Sequence, residues 1–251
     1  MKTVDNIKIN SDYKNIHSGH RERLRQVISK NGIYNLDDLH FIEYLLTFTI
    51  TRADTNPIAH ALLEKFGGID EIFDASIESL LTVDGIGVKT ARFIQYMSVS
   101  AYMYNKSKAL KKPKLNTLKN IVNFLHNIFP PSDNEQFVIL ILNKDYSLKT
   151  YKLFKGISHS FISIDVNDFT DILVQNKAKF IIMAHTHPKH TAEPSIEDVK
   201  IYERLKTITS ALSISIVDNL VLGESEFYSA KANEIFPYNS DTDNFRVTRL
   251  D

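Results

Sequence analysis

Between His20 and about Lys112 the apolar residues recur at helical spacing, and runs that alternate as a half-buried strand would are hard to find. Arg21 to Lys30 predicts a short amphipathic helix. Asn35-Leu36-Asp37-Asp38 has the make-up of a cap and leads into the apolar Leu39–Thr49. Asn56-Pro57 opens a further helix with Ile58, Ala61, Leu62 and Phe66 at helical spacing, and Gly67-Gly68 ends it. Short helices over Asp70–Asp74 and Ser76–Leu81 precede the turn Asp84-Gly85-Ile86-Gly87. Val88–Asn105 is helical again.

The pattern changes after Lys106–Lys114, a basic, proline-containing stretch with the composition of an interdomain linker. A helix over Thr117–Ile128 is followed by Phe137–Asn143 (FVILILN), which reads as a buried strand. Leu148–Leu153 is its expected partner across a turn at Asn143–Ser147. Asp168–Gln175 predicts a helix, Phe180–Ala184 (FIIMA) a short apolar strand and Ser195–Ser210 a helix. Ile214–Val217 and Asn219–Leu222 are strand material, and Glu226–Ser229 is expected as an edge strand. The reading is an α+β multidomain chain. A loose tail over 1–19 leads into an all-α domain over 20–112, an α/β domain over 113–238 and a polar tail over 239–251.

Composition narrows the chemistry. With 43% hydrophobic residues there is material for real cores, and with 30 basic against 30 acidic side chains no global positive field points to nucleic acid. There is no cysteine, so thiol nucleophiles, disulfides and thiolate metal sites are excluded, and any metal must sit on His, Asp or Glu. The polar start and the lack of a long apolar run predict a cytoplasmic protein without a membrane span.

One segment carries ligand chemistry. In AHTHPKHTAEPSIED, residues 184–198, His185 and His187 are two apart at the end of an expected strand and so point to one face. Seven residues separate His187 from Ser195, and Asp198 follows three later at the start of a helix. Two imidazoles and a carboxylate close three corners of a tetrahedron and leave the fourth open, as a catalytic zinc requires. Taken alone, Ser195-x-x-Asp198 is also a plain helix cap, and the two roles are compatible, since a helix start can position Asp198.

Strand, HxHP, seven-residue spacing and SxxD together resemble the metal motif of the JAB/MPN (JAMM) metalloprotease superfamily. The wider likeness, from about His20 to Ala230, is to the bacterial RadC family, long labelled as DNA-repair proteins. It rests on GHRERL and LLEKFGGIDEIFDASIESLLTVDGIGVKTA at the N-terminal side. At the C-terminal side it rests on EQFVILILN, AHTHPKHTAEPSIEDV, SISIVDNLVLG and FYS. The resemblance implies a helical N-terminal module followed by an α/β JAB/MPN domain of the cytidine-deaminase-like kind. It further implies Zn2+ on His185, His187 and Asp198, and hydrolysis of amide or isopeptide bonds in an unknown protein or peptide substrate. By the same analogy the catalytic base is Glu135, ahead of the first strand, and Ser195 is a hydrogen-bond donor to the developing oxyanion. Two departures concern the rim of the site. Lys189-His190 stands where an HNHPSG-type turn has Ser-Gly, and Asp218-Asn219 stands where an Asp-His pair is expected.

Leu81-x-Val83-x-Gly85-Ile86-Gly87-x-x-Thr90-Ala91 is a helix-hairpin-helix signature. Gly85 and Gly87 are expected at positive φ. The following helix start, with Lys89 and Arg92, can hold a DNA phosphate without reading sequence. The competing readings are a tight connector that packs against protein, and a non-catalytic DNA-binding adaptor whose metal is structural. A nuclease ranks below both, because a single His/His/Asp zinc lacks the second metal common in phosphodiester cleavage.

Overall fold

The computed structural model describes residues 22, 24–30, 32–111, 113–155, 164–240 and 242. The expected tails 1–19 and 239–251 lie outside these residues, apart from 239, 240 and 242. The chain divides into two compact units, Met1–Ala101 and Tyr102–Asp251.

In the first unit the described elements are helices: α1 (24–30), α2 (Asp38–Leu46), α3 (Asn56–Phe66), α4 (Ile69–Asp74), α5 (Ile77–Leu80) and the first turns of α6 (Val88–Ala109). Asp37 caps α2 by accepting from the His40 amide, and Gly67 at φ +103 closes α3. The apolar faces meet in one core of Ile42, Leu46, Ala59, Leu62, Ile72, Leu80, Ala91 and Ile94. Gly85 stands at φ +89 and a side chain there would strike Ile58, so both backbone and packing demand glycine. Gly87 departs from expectation. It is not among the positive-φ glycines, and a side chain there would meet open space.

The second unit is a six-stranded mixed sheet with helices on both faces. Its elements are α7 (Leu118–Ile128), β1 (Gln136–Leu142), β2 (Leu148–Lys155), α8 (Val166–Gln175), β3 (Phe180–Thr186), α9 (Ile196–Ala211), β4 (Ser215–Leu222), β5 (Glu226–Ser229) and β6 (Glu234–Pro237). The order is β2-β1-β3-β4-β5-β6, antiparallel except for β3 with β4, which α9 connects as a crossover. Along β1, Val138, Leu140 and Leu142 join the core beneath α7. Phe137, Ile139 and Ile141 join the core beneath α8 and α9. Coverage on both faces explains why FVILILN is apolar without alternation.

Several expectations need correction. Lys106–Lys114, expected as an interdomain linker, is helical as far as Ala109, since α6 runs to that residue, and the Lys106 ammonium donates to Tyr102 Oη and lies over the Tyr102 and Tyr151 rings. Beyond it, Leu115 and Leu148 hydrogen-bond across to Tyr146 and Pro113, so this backbone belongs to the sheet unit. The units therefore divide inside α6, ahead of the expected 112/113. Ile214–Val217 and Asn219–Leu222 are parts of one strand, β4, because Asp218 is buried on hydrogen bonds and does not interrupt it. Glu226–Ser229 is not an edge either. It pairs with β6, which the charged and turn-rich sequence around it concealed.

Candidate metal centre

β3 fixes the first ligand. Ile181, Met183 and His185 project to the α9 side, and Phe137 of β1 stands opposite His185. His187 lies just past the strand, its backbone N–H bonded to Leu222 O at 2.8 Å. The chain then turns through Lys189, at φ +61, and reaches the start of α9. There Ser195 and Asp198 form a reciprocal capping box. The Ser195 hydroxyl and amide donate to Asp198 Oδ2 at 2.6 and 2.8 Å, and the Asp198 amide donates to Ser195 Oγ at 3.1 Å. The cap and the ligand reading thus describe one residue, because the box turns Asp198 toward the histidines.

The donor atoms converge. His185 Nε2 and His187 Nε2 are 3.2 Å apart, and Asp198 reaches them through Oδ1 and Oδ2 at 3.3 Å each. A tetrahedral zinc with bonds of about 2.0–2.1 Å sets its donors about 3.3 Å apart, so the two imidazole nitrogens stand at such an edge, and each carboxylate oxygen stands at one from its own histidine. His185, His187 and Asp198 form a group able to hold a metal ion. Glu135 lies beside it, with Oε1 4.0 Å from His187 Nε2, and its side chain is only 12% exposed.

Burial pushes the Glu135 carboxyl above its usual range; His187 opposes this and Asp198 adds to it. Burial lowers His185, with Asp198 opposing. Burial also pulls on His187, but the hydrogen bond to Asp198, the Thr191 carbonyl and the Asp198 and Glu135 charges hold it above the ordinary imidazole value. Asp198 itself is well below the carboxylate range, since both histidines and Ser195 outweigh its burial.

Sequence reasoning missed the residues that support this group. Thr191 O stands 3.0 Å from His187 Nδ1 and fixes that ring. Gly223 lets the 190–192 segment approach, since a side chain there would lie 2.6 Å from Ala192 N and 2.8 Å from His190 O. Thr186 accepts the Gln136 N–H at 3.0 Å and so ties the strand entry behind Glu135 to β3. The glycine directly after the apolar run of β4 was the one signal available for any of these. The departure at Lys189 is an exposed ion pair with Asp133 at 2.7 Å across the rim. Lys89 and Arg92 are exposed near the start of α6, with Gly85 and Gly87 in the preceding turn, and they belong to the other unit.

Among the described residues no helix is long and apolar enough to cross a membrane. The profile of the RadC-like JAB domain matches residues 115–235. A UPF0758 protein of Fusobacterium nucleatum subsp. nucleatum is 27% identical over 221 residues, which are 85% of this chain and 95% of the relative. A UPF0758 protein of Ruegeria pomeroyi is 24% identical over 215 residues, with the same coverage of 85% and 95%. The converging histidines and carboxylate therefore stand within residues 115–235, the stretch that matches the RadC-like JAB domain.

Proposed function

We propose that this domain is a zinc-dependent, metallopeptidase-like hydrolase acting on an amide or isopeptide bond of a protein or peptide. The observation that carries the reading is the convergence of the His185 and His187 Nε2 atoms and the Asp198 carboxylate on one another, with Glu135 beside them. Bound zinc would supply a Lewis acid for the carbonyl and a water made acidic enough to react near neutral pH. His185, His187 and Asp198 would hold it. Glu135, with its carboxyl raised by burial, takes a proton at the attacking water and returns it to the leaving amine. Ser195 donates to the developing oxyanion, for which its hydroxyl must turn away from Asp198. The composition and the lack of a spanning helix among the described residues support a cytoplasmic site of action.

The test is zinc per chain by elemental analysis on the wild type and on His187→Ala and Asp198→Ala, followed by a peptide and isopeptide screen. About one zinc in the wild type, absent from both folded variants, is the expected result. A wild type that stays metal-free after reconstitution would sink the reading. Glu135→Gln is expected to keep the zinc and lose turnover.

One observation supports a second reading, a non-catalytic DNA-binding adaptor with a structural metal. A side chain at Gly87 would meet open space and its φ is not positive, so neither packing nor turn geometry accounts for glycine there. A phosphate approaching the start of α6 between Lys89 and Arg92 would account for it. That reading expects salt-sensitive DNA binding that is lost in Lys89→Ala/Arg92→Ala, and its link to DNA repair comes from the family resemblance alone.

A further inference from the structure

His185 and His187 both direct Nε2 at one point. When a metal occupies that point each ring keeps its proton on Nδ1, and each Nδ1–H then needs an acceptor. His187 has one in the Thr191 carbonyl. For His185, the contacts among the described residues are the Nε2 approaches to His187 and Asp198, and no protein atom accepts from Nδ1. The ring is almost wholly buried, at 4% exposure, so any acceptor for Nδ1–H must reach it through a confined space.

Beside this ring lies a cavity of about 20 Å³, lined by His185, Asp198, Tyr202 and Asn219 and by the apolar Phe137 and Met183. That is room for about one water molecule, provided polar partners are at hand. Asn219 is a second polar group without a partner there. Its backbone N–H donates to Asp218 at 2.8 Å, while its side-chain amide makes no hydrogen bond among the described residues. Two polar groups without a protein partner that line one water-sized cavity point to a shared partner. The register puts Asn219 there. It stands opposite Met183, two residues before His185, on the face that α9 covers.

We propose that one water held in this cavity accepts the Nδ1–H of His185 and donates to Oδ1 of Asn219. Asn219 is then a positioning residue, which fixes the tautomer and ring orientation of one metal ligand without touching the metal. The inference rests on the zinc reading above. It gives the site two unlike supports, a direct carbonyl for His187 and a water relay for His185.

The experiment is zinc affinity of the full chain, measured by competition with a chromophoric chelator, with metal-free unfolding temperature recorded beside it. Asn219→Leu fills the cavity and offers no acceptor, and is expected to weaken zinc binding about 10–100-fold. Asn219→Asp still accepts and is expected to bind within about tenfold of the wild type or more tightly. The metal-free unfolding temperatures should not follow that order, whereas a merely structural Asn219 would move stability and affinity together. Should the leucine variant not fold, Asn219→Ala takes its place, with weakening again expected. Wild-type affinity in the leucine or alanine variant, or an aspartate variant as weak as either, overturns the inference alone. A wild type that binds no zinc overturns the proposed function with it.

Discussion

Asp198 stands 3.3 Å from each of two imidazole nitrogens that are themselves 3.2 Å apart, too close for both rings to carry charge in a buried site. Burial holds His185 below the ordinary imidazole value, while Asp198, the Thr191 carbonyl and the Glu135 charge hold His187 above it, so a proton is kept more firmly on His187 than on His185. The sign of the pH dependence follows. The raised His187 contributes stability to the metal-free protein below its ordinary value, and loses that contribution as the pH rises through its own raised value. A metal must displace the same proton, so zinc affinity should fall with acidification through that value and level off above it. Calorimetry in buffers of different ionisation enthalpy should find about one proton released per zinc on the acid side and fewer on the alkaline side. A proton count that does not change with pH would contradict this. The three residues that converge could be picked out from sequence because a two-residue spacing on a strand and a three-residue cap are local geometry. The proton's place could not, since it depends on Thr191 and Glu135, which meet His187 only through the loop and the sheet.

Along β4 a single extra residue decides what the site sees. β3 pairs Ile181 with Ile216 but Ile182 with Asp218, so Val217 is passed over and every later residue changes face. Asp218 thereby turns away from His185 and accepts from Ser229 Oγ at 2.7 Å, Asn219 N at 2.8 Å and Lys231 N at 3.0 Å, while Asn219 turns toward the cavity beside that ring. Sequence reading took the region for two strand fragments, since a polar pair inside an apolar run is ambiguous until pairing fixes its face. Burial raises the Asp218 carboxyl against those three donors. Asp218→Ala should therefore cost on the order of 3 kcal/mol in denaturant unfolding by stranding them, and a loss under about 0.5 kcal/mol would contradict the assignment. Gly223, where β4 ends, tests the support of His187. Its added methyl in Gly223→Ala would lie 2.6–2.9 Å from the backbone of 190–192, which must move and take the Thr191 carbonyl with it. Zinc affinity should drop about 10–100-fold, and an affinity within about twofold of the wild type would show that the carbonyl is not needed.

The two units draw on separate cores. Ile42 to Ile94 make the first, and Leu115 to Phe236 make the two that sandwich the sheet. The change of periodicity near Lys106–Lys114 suggested a division there, whereas the two compact units part inside a helix, where hydrophobic spacing does not change and sequence gives no mark. With separate cores, a ligand of one unit should stabilise that unit alone, because only its folded state binds. Every proposed zinc ligand lies in Tyr102–Asp251. Free zinc at about a hundredfold its dissociation constant adds about 2.7 kcal/mol to the folded state, which for a unit of this size is roughly 5–10 °C. Scanning calorimetry of the full chain should therefore resolve two transitions, of which zinc moves only one. The moving transition should be the one that Asp218→Ala lowers, and His187→Ala should abolish its response to zinc. A single transition, or two that rise together, would mean that the units unfold as one, and metal at the sheet would then be felt by the helical unit as well.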